Sequence, residues 1–507
     1  MGRFLKRAFV LLAVSFVLAA CAFAAGVLWP ERLPEAPPAV DRLVIENVSV
    51  VDAETATLRP GMTVSIENGR IHGLASSGGS RPSGVVIDGS GQFLIPGLWD
   101  MHVHLGSKLS THLHLPLLVA HGVTGVRDMA DCENPLDPFE ACLEDKRAWS
   151  EGVGRGELVG PRILGVASFT VHGPSRRDDD LPSFFAPGNE SEARELARYA
   201  KGRGYDFIKV YDSLPRDVFL ALLGEARAQS LEVVGHRPLA VNGVEASEAG
   251  QRSFEHARLF LEECYPGASK LRSEPRRYQT ADRRAMVDEH DASQCGELFA
   301  TMKENGTWFV PTHVTRKMDA FADDAAYRDD PRLRYIHPLQ RMVWSEDADG
   351  MVASDPSPEG RKAFMDFYVK GLELTGVAHR AGVPVLAGTD ANDTYVFPGS
   401  GLHDELEELV KAGLTPAEAL AAATLSPARY FGVEGEYGSI AEGKAADLVL
   451  LREDPLTDIR NTRSIEAVVL GGRLYRRPDL DRLLTHVETS VGSLTIGAKL
   501  LWAYLRS

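Results

Sequence analysis

Residues 97–105 read GLWDMHVHL. The run is apolar through Leu98, Trp99, Met101 and Val103, and in an extended strand positions i and i+2 face the same side. His102 and His104 therefore present two imidazoles to one point in space. Such a pair is half of a metal site if further ligands converge on it, and a polar edge of a strand if none do. The fold follows from where those other ligands lie.

Outward from this stretch, between Ile95 and Gly432, short apolar runs alternate with helical ones. Seven more runs resemble the first: GVTGVRDM (122–129), RILGVASF (162–169), YDFIKVYD (205–212), LEVVGHR (231–237), RSFEHA (252–257), TWFVPTH (307–313) and VPVLAGTD (383–390). Helical stretches such as PRDVFLALLGEARAQ separate them, so eight strand-then-helix units predict an α/β chain with a (β/α)8 TIM-like barrel over 95–432. An open doubly wound sheet is the alternative, but no G-x-G-x-x-G follows any of these strands. Chemistry-bearing residues sit at the C-terminal ends of the runs: Lys209, His236, His256 and Asp390. In such a barrel these ends meet at one mouth, so with His102 and His104 they form a candidate set of six metal ligands.

The flanks read differently. LVIENVSVVDAETATLRPGMTVSIENGRIHGLA alternates apolar and polar residues between Asn-Gly and Pro-Gly turns, and the texture returns in YGSIAEGKAADLVLLREDP and SIEAVVLGGRLYRR. A small β-sandwich built from both chain ends, 43–94 and 433–479, is expected, with a C-terminal extension at 480–507. At the N-terminus, Arg3, Lys6 and Arg7 precede 22 residues without a charge. Residues 1–30 therefore predict a signal peptide or membrane anchor, with the charged flank cytoplasmic and the body exported to the cell envelope. LAAC at 18–21 resembles a lipobox, which implies cleavage before Cys21 and acylation of its thiol. The Pro-rich 31–42 predicts a stiff spacer.

Composition narrows the function. The chain has 507 residues, 44% of them hydrophobic, enough for a large core. Seventy-one acidic against 55 basic residues give a formal charge of -16, which repels phosphate backbones and excludes nucleic acid as a partner. The expected partners are a small-molecule substrate and a membrane tether, with a homo-oligomer permitted. If Cys21 is acylated, four cysteines remain, and disulfides Cys132–Cys142 and Cys264–Cys295 are expected among the three possible pairings.

From about residue 43 to 478 the chain resembles the amidohydrolase superfamily. The resemblance rests on the His-x-His of the first strand, Lys209 on the fourth, His236 and His256 on the fifth and sixth, and Asp390 on the eighth. FLIPGLWDMHVHL and GSIAEGKAADLVLL are similar to that family's sandwich junction and C-terminal strand. The branch it most resembles holds imidazolonepropionase-related hydrolases and prolidase-like dipeptidases. This implies two divalent ions, usually zinc, with Lys209 N6-carboxylated between them. The charge balance agrees: four neutral imidazoles cannot offset two divalent ions, whereas a carbamate supplies two oxygens and a negative charge. His102, His104 and Asp390 would hold one ion, His236 and His256 the other, and Asp390 would carry the proton.

Tyr211, two after Lys209, is a candidate oxyanion donor, and Arg237 a candidate clamp for a substrate carboxylate. His172 and His313 are further candidates for substrate contact. The expected reaction is hydrolysis of an amide C–N bond in a dipeptide or N-acyl amino acid. Hydrolysis of a cyclic amide or an ester is the enzymatic alternative, and a non-catalytic scaffold of the same fold the other.

Overall fold

The computed structural model describes residues 2–76, 84–132, 140–178, 180–273 and 278–505. In chain order its strands are β1 Arg42–Asp52, β2 Thr57–Glu67, β3 Arg70–Ser76, β4 Val85–Asp88, β5 Phe93–Pro96, β6 Leu98–Val103, β7 Val123–Asp128, β8 Arg162–Val166, β9 Phe207–Val210, β10 Glu232–Gly235, β11 Gln251–Glu255, β12 Trp308–Val310, β13 Leu448–Leu451, β14 Ile465–Leu470 and β15 Arg473–Arg476.

Both chain ends enter one eight-stranded sheet, in the order β15-β14-β13-β5-β1-β2-β3, with β4 also on β1. The join is made by β13, which pairs antiparallel with β5 from Leu448↔Pro96 to Leu451↔Phe93. Register shifts between Ile45, Val48 and Val50 break the long β1, so that one edge of it serves β4 and then β5 in turn. Val48, Val64, Leu94, Leu448 and Leu450 pack into the sheet's own apolar core.

The middle of the chain pairs in parallel. One three-stranded sheet runs β6-β7-β8 and one four-stranded sheet runs β12-β11-β10-β9. Single bridges connect them: Ala167↔Phe207 and Val171↔Val210 on one side, Phe309↔Val385 and Val103↔Ala391 on the other. The circuit thus returns to β6 through residues 383–391. That last segment, expected as a regular strand, forms no continuous ladder. Leu386 N donates to Phe309 O, but Ala387 N donates to Ala422 O, a carbonyl at the end of the helix Pro416–Ala422, and this diverts the pairing.

Helices between the strands begin and end on local signals. Helix Pro358–Ala381 starts at Ser357, whose hydroxyl accepts from Gly360 N, and stops at left-handed Gly382 (φ 96). Between these caps it buries Phe364, Phe367, Leu372 and Leu374. Cys132 is joined to Cys142 and Cys264 to Cys295, each pair with Cα atoms 4.9 Å apart. Of the loop CENPLDPFEAC, 133–139 lie outside the described residues.

The Pro-rich segment lies along the body: Arg473 donates to Pro37 O (2.6 Å), Val40 N donates to Gly472 O (2.8 Å), and Lys499 pairs with Glu31 (3.2 Å). Proline keeps the segment extended, and the two cations lay it along the body.

Gly388 marks where the last segment crosses β6. A Cβ built there would lie 2.6 Å from Val310 Cγ1 and 2.9 Å from the His102 backbone nitrogen. Neither atom can give way without shifting β6 or β12. Gly388→Ala should therefore cost about 1–3 kcal/mol, the range for overpacking, read as a lowered denaturation midpoint.

Candidate metal centre and active site

The site is built at the C-terminal ends of the parallel strands. His102 is wholly buried, and its Nδ1–H donates to Glu255 Oε2 at 2.8 Å. That bond fixes the tautomer, so the Nε2 lone pair faces the other donors. His104 Nε2 lies 2.8 Å, and His102 Nε2 3.3 Å, from Asp390 Oδ1. One ligand atom from each of these three residues lies within 4.8 Å of the others.

Asp390 arrives there because the eighth segment is latched to β6. Thr389 donates to Asp100 through both its N–H (3.0 Å) and its hydroxyl (2.7 Å), and Asp390 N donates to His102 O (2.7 Å). Asp390 is left-handed (φ 67), as are His256 (φ 74) and Thr312 (φ 46) at the ends of β11 and β12. Each such non-glycine conformation costs about 1–3 kcal/mol and persists only where the surroundings hold it. Three of them on adjoining segment ends turn side chains into one space.

Glu255 is the hub beneath. Arg127 on β7 donates to both its oxygens (2.9 and 3.0 Å), and Ser253 donates to Oε1 (2.6 Å). Strands β7 and β11 do not pair with each other, so this ion pair crosses the interior enclosed by the circuit. Burial pushes the Glu255 carboxyl up, but Arg127 and His102 outweigh it and hold it far below the usual range. Asp390 behaves alike: burial raises it, while His102 and His104 hold it well below 3.8.

The other predicted ligands surround the same cavity of about 250 Å³. Lys209 Nζ is 3.4 Å from His102 Nε2, and burial draws its amine down to about 8. His256 lies beside His102 (ring centroids 5.2 Å) and His236 beside His256 (4.5 Å). Burial keeps both well below 6.5 and so neutral, the form that ligates. As placed, His256 Nδ1 meets the Thr312 hydroxyl (2.8 Å), and His236 Nδ1 accepts from Arg258 (2.7 Å). Tyr211 also faces the cavity, its ring 4.0 Å from His236, and burial raises its phenol.

Three candidates lie elsewhere. Arg237 is buried and turned from the cavity, donating to Pro238 O and Val241 O and paired with Glu262 and Glu263. Both His236 and Arg237 lie past the end of β10, and these partners, not strand periodicity, set the direction of the guanidinium. His313 is fully buried in helix His313–Phe321 and also does not line the cavity; burial draws it down to about 4. His172 packs against Tyr211 (4.7 Å) and lines an adjoining cavity instead. Besides Lys209, the basic side chains of the cavity are Arg258, two after His256, and Arg316, three after His313. Asp393 also faces it, raised to about 6 by burial and by Asp390. The helices begun at Arg258 and at His313 and the turn after Asp390 set these directions, and strand periodicity does not reach them.

Two imidazoles and a carboxylate, one imidazole oriented by a buried acid, form a donor set that fits a divalent ion. A family model described as the amidohydrolase family matches residues 93–475. An ochratoxinase of Aspergillus niger is 24% identical over 434 residues, covering 76% of each chain. Among solved structures, bottromycin amidohydrolase matches with a TM-score of 0.65 at 23% identity, over 93% of this chain and 94% of its own. A Xaa-Pro dipeptidase with bound methionine matches at 0.60 and 20%, over 86% of this chain and 100% of its own. These likenesses make the fold TIM-barrel-like α/β.

Two outcomes follow from the buried acids. Glu255→Gln leaves Arg127 charged without its partner, and should cost about 3–5 kcal/mol in denaturant unfolding. Glu405 is buried behind His313; Val314 N donates to its Oε2 (3.0 Å), while among the described residues its Oε1 has no hydrogen-bond partner. Burial raises it from 4.5 to about 8. The folded state therefore holds this proton more tightly, so its contribution is full below pH 4.5 and is lost as pH rises through 8. Glu405→Gln should remove up to about 1.4 kcal/mol per pH unit from the slope of stability over that window. Unfolding curves at a series of pH values measure it.

Proposed function

The chain belongs to the amidohydrolase family, and from that premise we propose that it is a metal-dependent hydrolase cleaving the amide C–N bond of a dipeptide or an N-acyl amino acid. The observation that carries this reading is the convergence of His102, His104 and Asp390, with Lys209, His236 and His256 around the same cavity. In this reading the eight parallel segments are a (β/α)8 barrel, and the eight-stranded sheet over its own core is the β-sandwich body.

His102, His104 and Asp390 would hold one divalent ion, zinc by the donor types, and His236 and His256 a second, with Lys209 carboxylated and shared by both. When bound, such ions supply Lewis acidity and bring the pKa of a water toward about 7. The chain's own groups supply the rest. The Asp390 carboxylate takes a proton from the attacking water and returns it to the leaving nitrogen. As the water oxygen bonds to the carbonyl carbon and the C–N bond breaks, the Tyr211 hydroxyl donates to the carbonyl oxygen. Arg258 and Arg316 give the cavity the positive charge that suits a substrate carboxylate. A fold shared with an amidohydrolase and a Xaa-Pro dipeptidase supports amide and dipeptide substrates.

We also read Phe9–Leu28, uncharged and with none of its residues fully buried, as an export signal or anchor, and exposed Cys21 as a lipid acceptor. The body would then work outside the cytoplasm.

Lys209 provides the test. Lys209→Ala and Lys209→Arg should each lose one or both ions by elemental analysis, and nearly all hydrolysis across a dipeptide and N-acyl amino acid library. A guanidinium cannot be carboxylated, so arginine should fail as badly as alanine. Full metal and full activity in Lys209→Arg would overturn the binuclear reading.

A further inference from the structure

The chain ends on an apolar helix that the catalytic reading leaves without a role. Helix Leu494–Tyr504, LTIGAKLLWAY, lies against the end of the N-terminal helix Gly2–Leu28. Trp502 packs on Phe23 with ring centroids 6.2 Å apart. Gly26 sits so close to Ala498 that a Cβ on it would come within 3.1 Å of the Ala498 Cβ. Lys499 closes the junction, donating to Trp29 O (2.8 Å) and pairing with Glu31 (3.2 Å).

The two sides of the helix differ in what they meet. Ile496 is fully buried, in a cluster with Leu109 and Leu113 from the loop after His104, and with Val487 and Val491 of helix Arg477–Val491. At about 100° per residue, Leu494, Leu501 and Leu505 fall in one stripe on the opposite side. They are 91%, 42% and 65% exposed. That stripe continues the exposed apolar surface of the N-terminal helix, where Phe16, Leu18 and Leu28 are 75%, 65% and 81% exposed. Trp29, Lys499 and Trp502 stand at the junction, residue types that favour a bilayer's headgroup level.

We propose that helix Leu494–Tyr504 is a second membrane element, lying in the bilayer interface beside the N-terminal helix with its leucine stripe in the lipid. The proposal rests on reading Phe9–Leu28 as a membrane segment. Eleven residues are too short to span a bilayer, so the helix lies in the interface plane. The net charge of -16 opposes attraction to anionic headgroups, which leaves apolar burial as the drive. Because Ile496 packs on the loop after His104, this contact also turns the donor-bearing end of the barrel toward the membrane surface.

The experiment uses full-length protein carrying Cys21→Ser, which removes the free thiol and the acylation site and keeps Phe16 on the chain. A fluorescent reporter is attached in turn at Leu501→Cys, at Phe16→Cys and at Glu304→Cys, an exposed position on the opposite end of the barrel. Each protein is reconstituted into phosphatidylcholine vesicles containing nitroxide lipid. Quenching at 501 comparable to that at 16, with none at 304, is the expected result. Quenching at 16 with 501 open to aqueous iodide overturns the interfacial helix while the membrane segment stands. No quenching at either position overturns both. A reporter at 501 shielded from iodide and from lipid alike assigns the face to a second copy of the chain, and also overturns the proposal.

Discussion

One buried carboxylate organises the centre of this protein. Glu255 receives Arg127 across the enclosed interior, Ser253 from its own strand, and the Nδ1–H of His102. All three charged or polarised partners are out of water, where an uncompensated charge costs several kcal/mol, so none can be spared without exposing another. Arg127 is itself fully engaged: Nε donates to Met101 O (2.6 Å) and Nη1 to Ser253 and Tyr430. The same junction therefore ties β6, β7 and β11 together and decides which nitrogen His102 offers to the cavity.

From that anchor the site is assembled by close backbone approaches. Gly388 lets the last segment cross β6, Asp100 seizes both donors of Thr389, and Asp390 is left facing His102 and His104 in a conformation it would not choose alone. Gly235 plays a matching part before His236. It is left-handed (φ 120), and a Cβ there would lie 2.3 Å from Val210 O and 3.0 Å from Lys209 Cδ. Strand ends brought so close can place a lysine against a histidine without either reaching solvent. The strain collected at Asp390, His256 and Thr312 is what a surrounding structure must hold if ligands from different strands are to share one space.

The chain's termini are drawn to the same end of the molecule. The first and last helices meet each other, and the last packs through Ile496 on the loop that leaves His104. Arg473 and Lys499 fix the Pro-rich segment between them. The N-terminal helix and the candidate site are thus joined through packed segments.

Much of this was legible in the sequence. The alternation of GLWDMHVHL predicts that His102 and His104 share a direction, and apolar runs ending in Lys209, His236, His256 and Asp390 predict that the rest gather with them. Those inferences hold because strand periodicity and right-handed β-α connection are local rules, obeyed before any packing is known. The cysteine pairs and the sheet drawn from both ends were readable for similar reasons. Other features were not. Arg237 and Arg258 are both arginines near a candidate ligand histidine, and only the packed structure decides that the first serves Glu262 and Glu263 while the second faces the cavity. Glu255 looked like one more strand residue, because its partner Arg127 is 128 positions away. Sequence determines what a residue can do and which way a regular element turns it; the pairing of buried charges across the interior is chosen by tertiary structure, because only there does removal from water make each charge require a particular partner.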